Sequence, residues 1–197
     1  VSQVGRELPE EEREPFWLPA GPVRVLEVGC GTADDVGTLL ASGRVAEYIG
    51  VDLDELAVVR ARAQWPRATF LCADAAQLPE AYHRRFDLVL IRRPDMLAQP
   101  SRWRQVFAKV SAYLGDGGRV VVITLGQAEA AVARQWLEEA GMEVAQGDVP
   151  DGPMRWVLVA APARRPHVWE DAEAAPSCDV GFGGCCSPGK GAPWDDA

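Results

Sequence analysis

The chain has 197 residues, 48% of them hydrophobic, five cysteines and a formal charge of −9. That length and apolar content suffice for one full core, and no apolar run approaches the ~20 residues that cross a bilayer. An odd, scattered set of cysteines excludes the disulfide framework of small secreted domains, and the acidic balance argues against a broad phosphate-binding face, so no nucleic acid is expected as partner.

Residues 1–22 are acidic and punctuated by proline, with Glu10, Glu11, Glu12 and Glu14 in close order, and predict a short amphipathic helix or lid. They contain no apolar signal-peptide core, so the expected location is the cytoplasm, without a membrane. Phe16 and Trp17 predict an anchor in the core, with a position over the following turn as the alternative.

From Val23 onward short apolar runs alternate with helical patterns, which predicts an α/β domain over residues 23–161. Its expected form is a Rossmann-like, mostly parallel sheet of seven strands with helices on both faces. Val23 to Val28 is the first strand and runs into Gly29-Cys30-Gly31. Thr32 to Ala41 predicts a helix, Tyr48 to Val51 a strand ending at Asp52, and Asp54-Glu55 the start of a helix that Trp65-Pro66 closes. Thr69 to Cys72 is the third strand, ending at Asp74, and Pro79 to Arg85 a short helix. Phe86 to Ile91 is the fourth strand, with Pro94 beyond it.

Ser101 predicts a cap for a helix that carries Trp103, Val106, Phe107, Val110 and Leu114 on one apolar face. Gly115 to Gly118 predicts a turn, Val120 to Ile123 a buried strand, and Ala128 to Ala140 a helix ended by Gly141. Met142 to Ala145 and Met154 to Ala160 flank Pro150-Asp151-Gly152-Pro153 and predict a closing antiparallel hairpin. Residues 162–197 are rich in Pro, Gly, Ala and Ser and predict a flexible tail. No internal repeat is evident.

In an open α/β sheet a ligand sits outside the carboxyl ends of the strands, where the strand order reverses. The glycine turn, Asp52 and Asp74 all fall at such ends, and Asp52 follows the turn at about the 20 residues that let an acid meet ribose hydroxyls. Glu27, Asp34, Asp35, Asp52, Asp54 and Asp74 crowd this rim, which would repel a bare pyrophosphate and welcome a cationic nucleoside.

Glu27-Val28-Gly29-Cys30-Gly31-Thr32, Gly50-Val51-Asp52-Leu53-Asp54, Cys72-Ala73-Asp74-Ala75, Phe86-Asp87-Leu88-Val89 and Leu114-Gly115-Asp116-Gly117-Gly118 stand in this order. Together they resemble the class I S-adenosylmethionine-dependent methyltransferases, from about Val23 to Ala160. The resemblance implies S-adenosylmethionine as cofactor. Gly29, Cys30 and Gly31 would line its methionine part, with Glu27 supporting the turn. Asp52 would hold the ribose, Asp74 would accept from the adenine amino group, and Leu53 and Ala75 would flank the adenine. Ala33 stands where this family often has a third glycine, a mild substitution.

Methyl transfer needs an aligned nucleophile more than a base, so catalytic residues are sought just past the fourth strand, in Ile91-Arg92-Arg93-Pro94-Asp95-Met96. This segment lacks the Asn-Pro-Pro-aromatic pattern of amino-group methyltransferases of nucleic acids and proteins. Arg92 or Arg93 would grip a substrate carboxylate and Asp95 would act as base, with surface arginines and a helix cap as the alternative. His83 and His167 form no metal or catalytic spacing, and no metal site is expected. Cys178, Cys185 and Cys186 among glycines offer a soft-metal reading, without the pattern of a zinc site. The expected function is methyl transfer to a small molecule, the alternative a non-catalytic or partner-dependent S-adenosylmethionine binder.

Overall fold

Strand β1 (Val23–Val28) is buried everywhere except at Arg24, as a run covered on both faces must be. The computed structural model describes residues 17–150 and 156–163, which belong to one unit ending at Ala163. The further strands are β2 (Val45–Asp52), β3 (Thr69–Cys72), β4 (Phe86–Arg92), β5 (Leu114–Thr124), β6 (Met142–Pro150) and β7 (Trp156–Pro162). They form one sheet in the order β3-β2-β1-β4-β5-β7-β6. The pairs among β1 to β5 are parallel, and β7 runs antiparallel to both β5 and β6. The order reverses between β1 and β4, which makes the ends of these two strands the switch point.

Helices α1 (Val36–Ala41) and α2 (Glu55–Gln64) cover one face, where Leu39 and Val58 pack with Val25, Tyr48, Leu88 and Val121. Trp17 and Leu18 are buried in the same layer, so Trp17 is an anchor in the core; Phe16 lies outside the described residues. Helices α3 (Pro100–Phe107), α4 (Val110–Tyr113) and α5 (Gln127–Glu139) cover the other face. There Phe107, Tyr113 and Leu137 pack with Leu26, Val89 and Val122.

Several elements differ from the sequence expectation. The helix expected from Thr32 starts only at Val36, because Gly31 and Ala33 adopt φ of +53° and +56° and left-handed residues cannot continue a right-handed helix. The single helix expected through Leu114 breaks after Phe107. Lys109 and Ala112 donate to carbonyls three residues back, a tighter turn that preserves the apolar spacing but not the helix. Ser101 does not cap α3, whose first residue is Pro100 and whose N-cap is Gln99. Gly115 to Gly118 lies inside β5, at a register shift against β4. Instead of a helix from Pro79, two 3-10 turns occur, Ala75–Gln77 and Glu80–Tyr82. The hairpin is present with a longer first strand, its turn outside the described residues.

Candidate functional site

The turn after β1 is held from below. Gly29 and Cys30 both donate their N–H to the Val51 carbonyl, at 2.8 and 3.1 Å. Asp52, at the end of β2, accepts the Gly31 N–H at 2.7 Å with one carboxylate oxygen and the Asp54 N–H at 2.9 Å with the other. Gly29 has φ of +71°, and a Cβ there would lie 2.9 Å from Cη2 of Trp103. Glycine is thus required both by the bend and by the ring that α3 lays against it. On the Gly31 side the turn is open, with nothing within 4 Å of an added Cβ.

Glu27 supports the turn through a buried ion pair. Its side chain is 2% exposed and that of Arg92 13%. Arg92 donates from Nε at 2.7 Å and from a terminal nitrogen at 2.8 Å, one bond to each Glu27 oxygen, while Tyr48 donates its hydroxyl to the same carboxylate. The other terminal nitrogen of Arg92 reaches the Asp35 carbonyl at 2.8 Å. Burial opposes the Arg92 charge, yet the Glu27 carboxylate outweighs it and the guanidinium pKa is raised. The Tyr48 hydroxyl is raised well above its ordinary value by burial and then by Glu27. Tyr48 was invisible as a site residue in the sequence, because only strand pairing brings it beside Glu27.

This arrangement bears on two sequence expectations. Arg92, sought as a catalytic or substrate-gripping residue, commits three of its N–H groups to Glu27 and the Asp35 carbonyl. The rim is also less negative than its carboxylates suggest, since Arg92 neutralises Glu27 and Arg93 contacts Asp35 at 2.5 Å. Asp34 instead accepts from the Thr32 hydroxyl at 2.6 Å. Asp95 is exposed and accepts from Gln99 with its carbonyl at 2.9 Å.

The remaining cofactor candidates stand at neighbouring strand ends. Asp52 pairs with Cys72 in register, and the Ala73 N–H donates to the Asp52 carbonyl at 2.9 Å, so Asp52 and Asp74 share one edge of the sheet. The Asp74 carboxylate takes the Ala76 N–H and the Gln77 side-chain amide at 2.9 and 2.8 Å. Leu53 is 45% exposed, whereas Ala75 is buried and its carbonyl accepts the Tyr113 hydroxyl at 2.6 Å. Ala75 can flank a base only with the rim of its turn. The Cys30 side chain turns inward, its Sγ 2.9 Å from where a Cβ on Gly50 would stand, so its main chain is what faces the cleft.

A cleft of about 190 Å³ opens beside the turn, lined by Glu27, residues 29–35, Arg92 and Arg93. The residues present fit S-adenosylmethionine: an open glycine turn would take the amino-acid end, Asp52 bonded to that turn would meet the ribose, and Asp74 with exposed Leu53 on the adjoining edge would meet the base. Among the described residues no group of histidine, cysteine and carboxylate side chains is placed to hold a metal. His167, Cys178, Cys185 and Cys186 lie outside them.

Residues 25–118 match a family model described as a methyltransferase domain. Over 136 residues, 61% of the chain, the sequence is 36% identical to part of the nonribosomal peptide synthetase CymA of Salinispora arenicola, of which it spans 2% of the length. A TehB-like S-adenosylmethionine-dependent methyltransferase from Corynebacterium glutamicum shares the fold at TM-score 0.60 and 19% identity, over 80% of this chain and 90% of that one. A complex of the Haloferax volcanii Trm112 methyltransferase activator with a methyltransferase matches at TM-score 0.62 and 17% identity, over 76% and 86% of the two chains. Residues 25–118 thus match a methyltransferase domain, and the chain shares its fold with S-adenosylmethionine-dependent methyltransferases.

Proposed function

We propose that the protein transfers the methyl group of S-adenosylmethionine to a small-molecule acceptor by in-line displacement. The observation that carries this reading is the Asp52 to Gly31 bond, which seats the ribose-position acid directly on the glycine turn. When bound, the cofactor supplies an electrophilic methyl group on a sulfonium. The chain's part is to bind, orient and exclude water: Glu27 and Arg92 keep the turn rigid, and Trp103 walls it on one side. A small acceptor is supported by the acidic chain, by the absence of the Asn-Pro-Pro-aromatic pattern after β4, and by the likeness to part of a peptide synthetase. Calorimetry with S-adenosylmethionine and S-adenosylhomocysteine tests the reading. Both should bind, and Asp52→Ala should weaken binding by about 1–3 kcal/mol. No heat at millimolar ligand would remove the proposal.

The second reading is a binder that needs a partner for catalysis. It is favoured by the commitment of Arg92 to Glu27 at the place where a catalytic group was sought, and one structural neighbour is a methyltransferase bound to an activator. Turnover of labelled cofactor by the isolated chain with any acceptor excludes it.

A further inference from the structure

Five large apolar side chains are exposed among the described residues: Leu53, Leu56, Val59, Leu97 and Leu125. A single exposed leucine is ordinary, whereas a gathering of them at one place marks contact with something apolar. All but Val59 come shortly after the carboxyl end of a strand, Leu53 and Leu56 after β2, Leu97 after β4 and Leu125 after β5. The amino ends of the strands carry ion pairs instead, Arg24 with Asp87, Arg84 with Asp116 and Arg85 with Glu47. The exposed apolar surface is thus concentrated at the mouth of the sheet.

Leu53 and Leu56 stand on the β2 side of that mouth, the edge where Asp52 and Asp74 would meet the nucleoside. Leu97 and Leu125, 63% and 50% exposed, stand on the opposite side of the glycine turn, because β4 and β5 follow β1 in the sheet order. Their two loops are tied together: the Arg93 N–H donates to the Ile123 carbonyl at 2.7 Å, two residues before Leu125. Leu97 rides on the turn that the Gln99 N–H closes on the Asp95 carbonyl at 2.9 Å, and the Trp103 N–H donates to the Gln99 carbonyl at 3.2 Å as α3 begins. That same Trp103 lies against Gly29.

With the nucleoside over β2 and β3 and the amino-acid end at the turn after β1, the approach left to an acceptor is over the ends of β4 and β5. The charged groups there are already engaged. Arg93 contacts Asp35, the Glu129 carboxylate accepts the Leu125 N–H at 3.1 Å, and the Gln99 side chain joins Asp95 to Arg102. An ionic acceptor would have to displace these contacts, while an apolar one would only cover leucine surface.

We propose that Leu97 and Leu125 are specificity-determining residues for the acceptor, and that the acceptor is a small molecule whose alkyl or aryl body lies on these two side chains. The proposal rests on the methyl-transfer reading above and adds to it the class of acceptor. The acceptor's heteroatom bonds to the methyl carbon as the carbon–sulfur bond breaks; the bonding pair stays on sulfur, giving S-adenosylhomocysteine, and any proton on the heteroatom leaves to water.

The full chain, saturated with S-adenosylhomocysteine and carrying carbon-13 leucine methyl groups, is titrated with the octyl, 2-phenylethyl and ethyl forms of an alcohol, an amine, a thiol and a carboxylate. Binding is read from the Leu97 and Leu125 methyl resonances, assigned with Leu97→Asn and Leu125→Asn. At least one octyl or phenylethyl compound should bind saturably, about tenfold or more tightly than its ethyl counterpart. Each variant should weaken that binding several-fold and leave the dissociation constant of S-adenosylhomocysteine unchanged, which also shows that it is folded. No saturable shift with any compound, or equal affinity for the long and short forms, overturns the proposal and leaves the methyl-transfer reading intact. A wild-type dimer in sedimentation that becomes a monomer in either variant assigns the leucines to a second copy of the chain and overturns it as well, as does an equal loss of S-adenosylhomocysteine and probe affinity, which assigns them to the cofactor. Failure of wild type to bind S-adenosylhomocysteine removes the underlying reading and the proposal with it.

Discussion

Cys30 shows how a residue in the middle of a binding motif is inert. Burial first, then the nearby Glu27 and Asp52 carboxylates, push its thiol up to about 12, and the thiolate is the reactive form. Alkylation with iodoacetamide at pH 8 followed by peptide mapping should therefore label the exposed Cys72 and spare Cys30 until denaturant is added. The sign for stability follows. In the unfolded chain Cys30 ionises near the ordinary thiol value, so its contribution is complete below that value and is lost as pH rises toward about 12. Tyr48, raised by burial and Glu27, adds loss of the same sign in the alkaline range. The motif as a string of letters gave the turn but not the direction of this thiol, because that is decided by the closeness of Gly50 on the neighbouring strand.

The elements meet at the Glu27, Tyr48 and Arg92 cluster, which ties the ends of β1, β2 and β4 at the switch point of the sheet. Breaking one side of such a pair strands a charge. Arg92→Met should lower unfolding free energy by about 3–5 kcal/mol, whereas the double variant Glu27→Gln with Arg92→Met should recover part of that loss. Urea denaturation of the two variants checks this, and a double variant no more stable than the single one would show that the cost is packing instead. At this scale the strands were legible because apolar runs of four to eight residues bounded by turns have few other uses. Helix starts were less so: the first helix lost four residues to left-handed Gly31 and Ala33, and nothing in Thr32 or Asp34 announces a φ. Ala33, expected to replace a glycine at little cost, sits in a conformation that disfavours alanine.

Across the whole domain the sheet separates two apolar layers, one closed by α1 and α2 and the other by α3 to α5. Leu39 and Leu137 belong to different layers and are 3% and 0% exposed. Each leucine cut to alanine should cost about 2–5 kcal/mol, and in the double variant the losses should add to within about 0.5 kcal/mol. Equilibrium unfolding measures both, and a large departure from additivity would mean that the layers respond as one.

The succession of strands along the chain, the glycine turn and the acids at the ends of β2 and β3 were determined by the sequence itself, since each depends on local periodicity or on a residue type with one conformational use. What only the tertiary structure decided is charge. Read along the chain, Glu27 and Asp35 were two more carboxylates on an acidic rim and Arg92 was a free hand for substrate. Folding brings the end of β4 beside the end of β1, and opposite charges 65 positions apart in sequence become a buried pair. Electrostatic energy falls with distance in space, and sequence carries no record of that distance until the chain has closed.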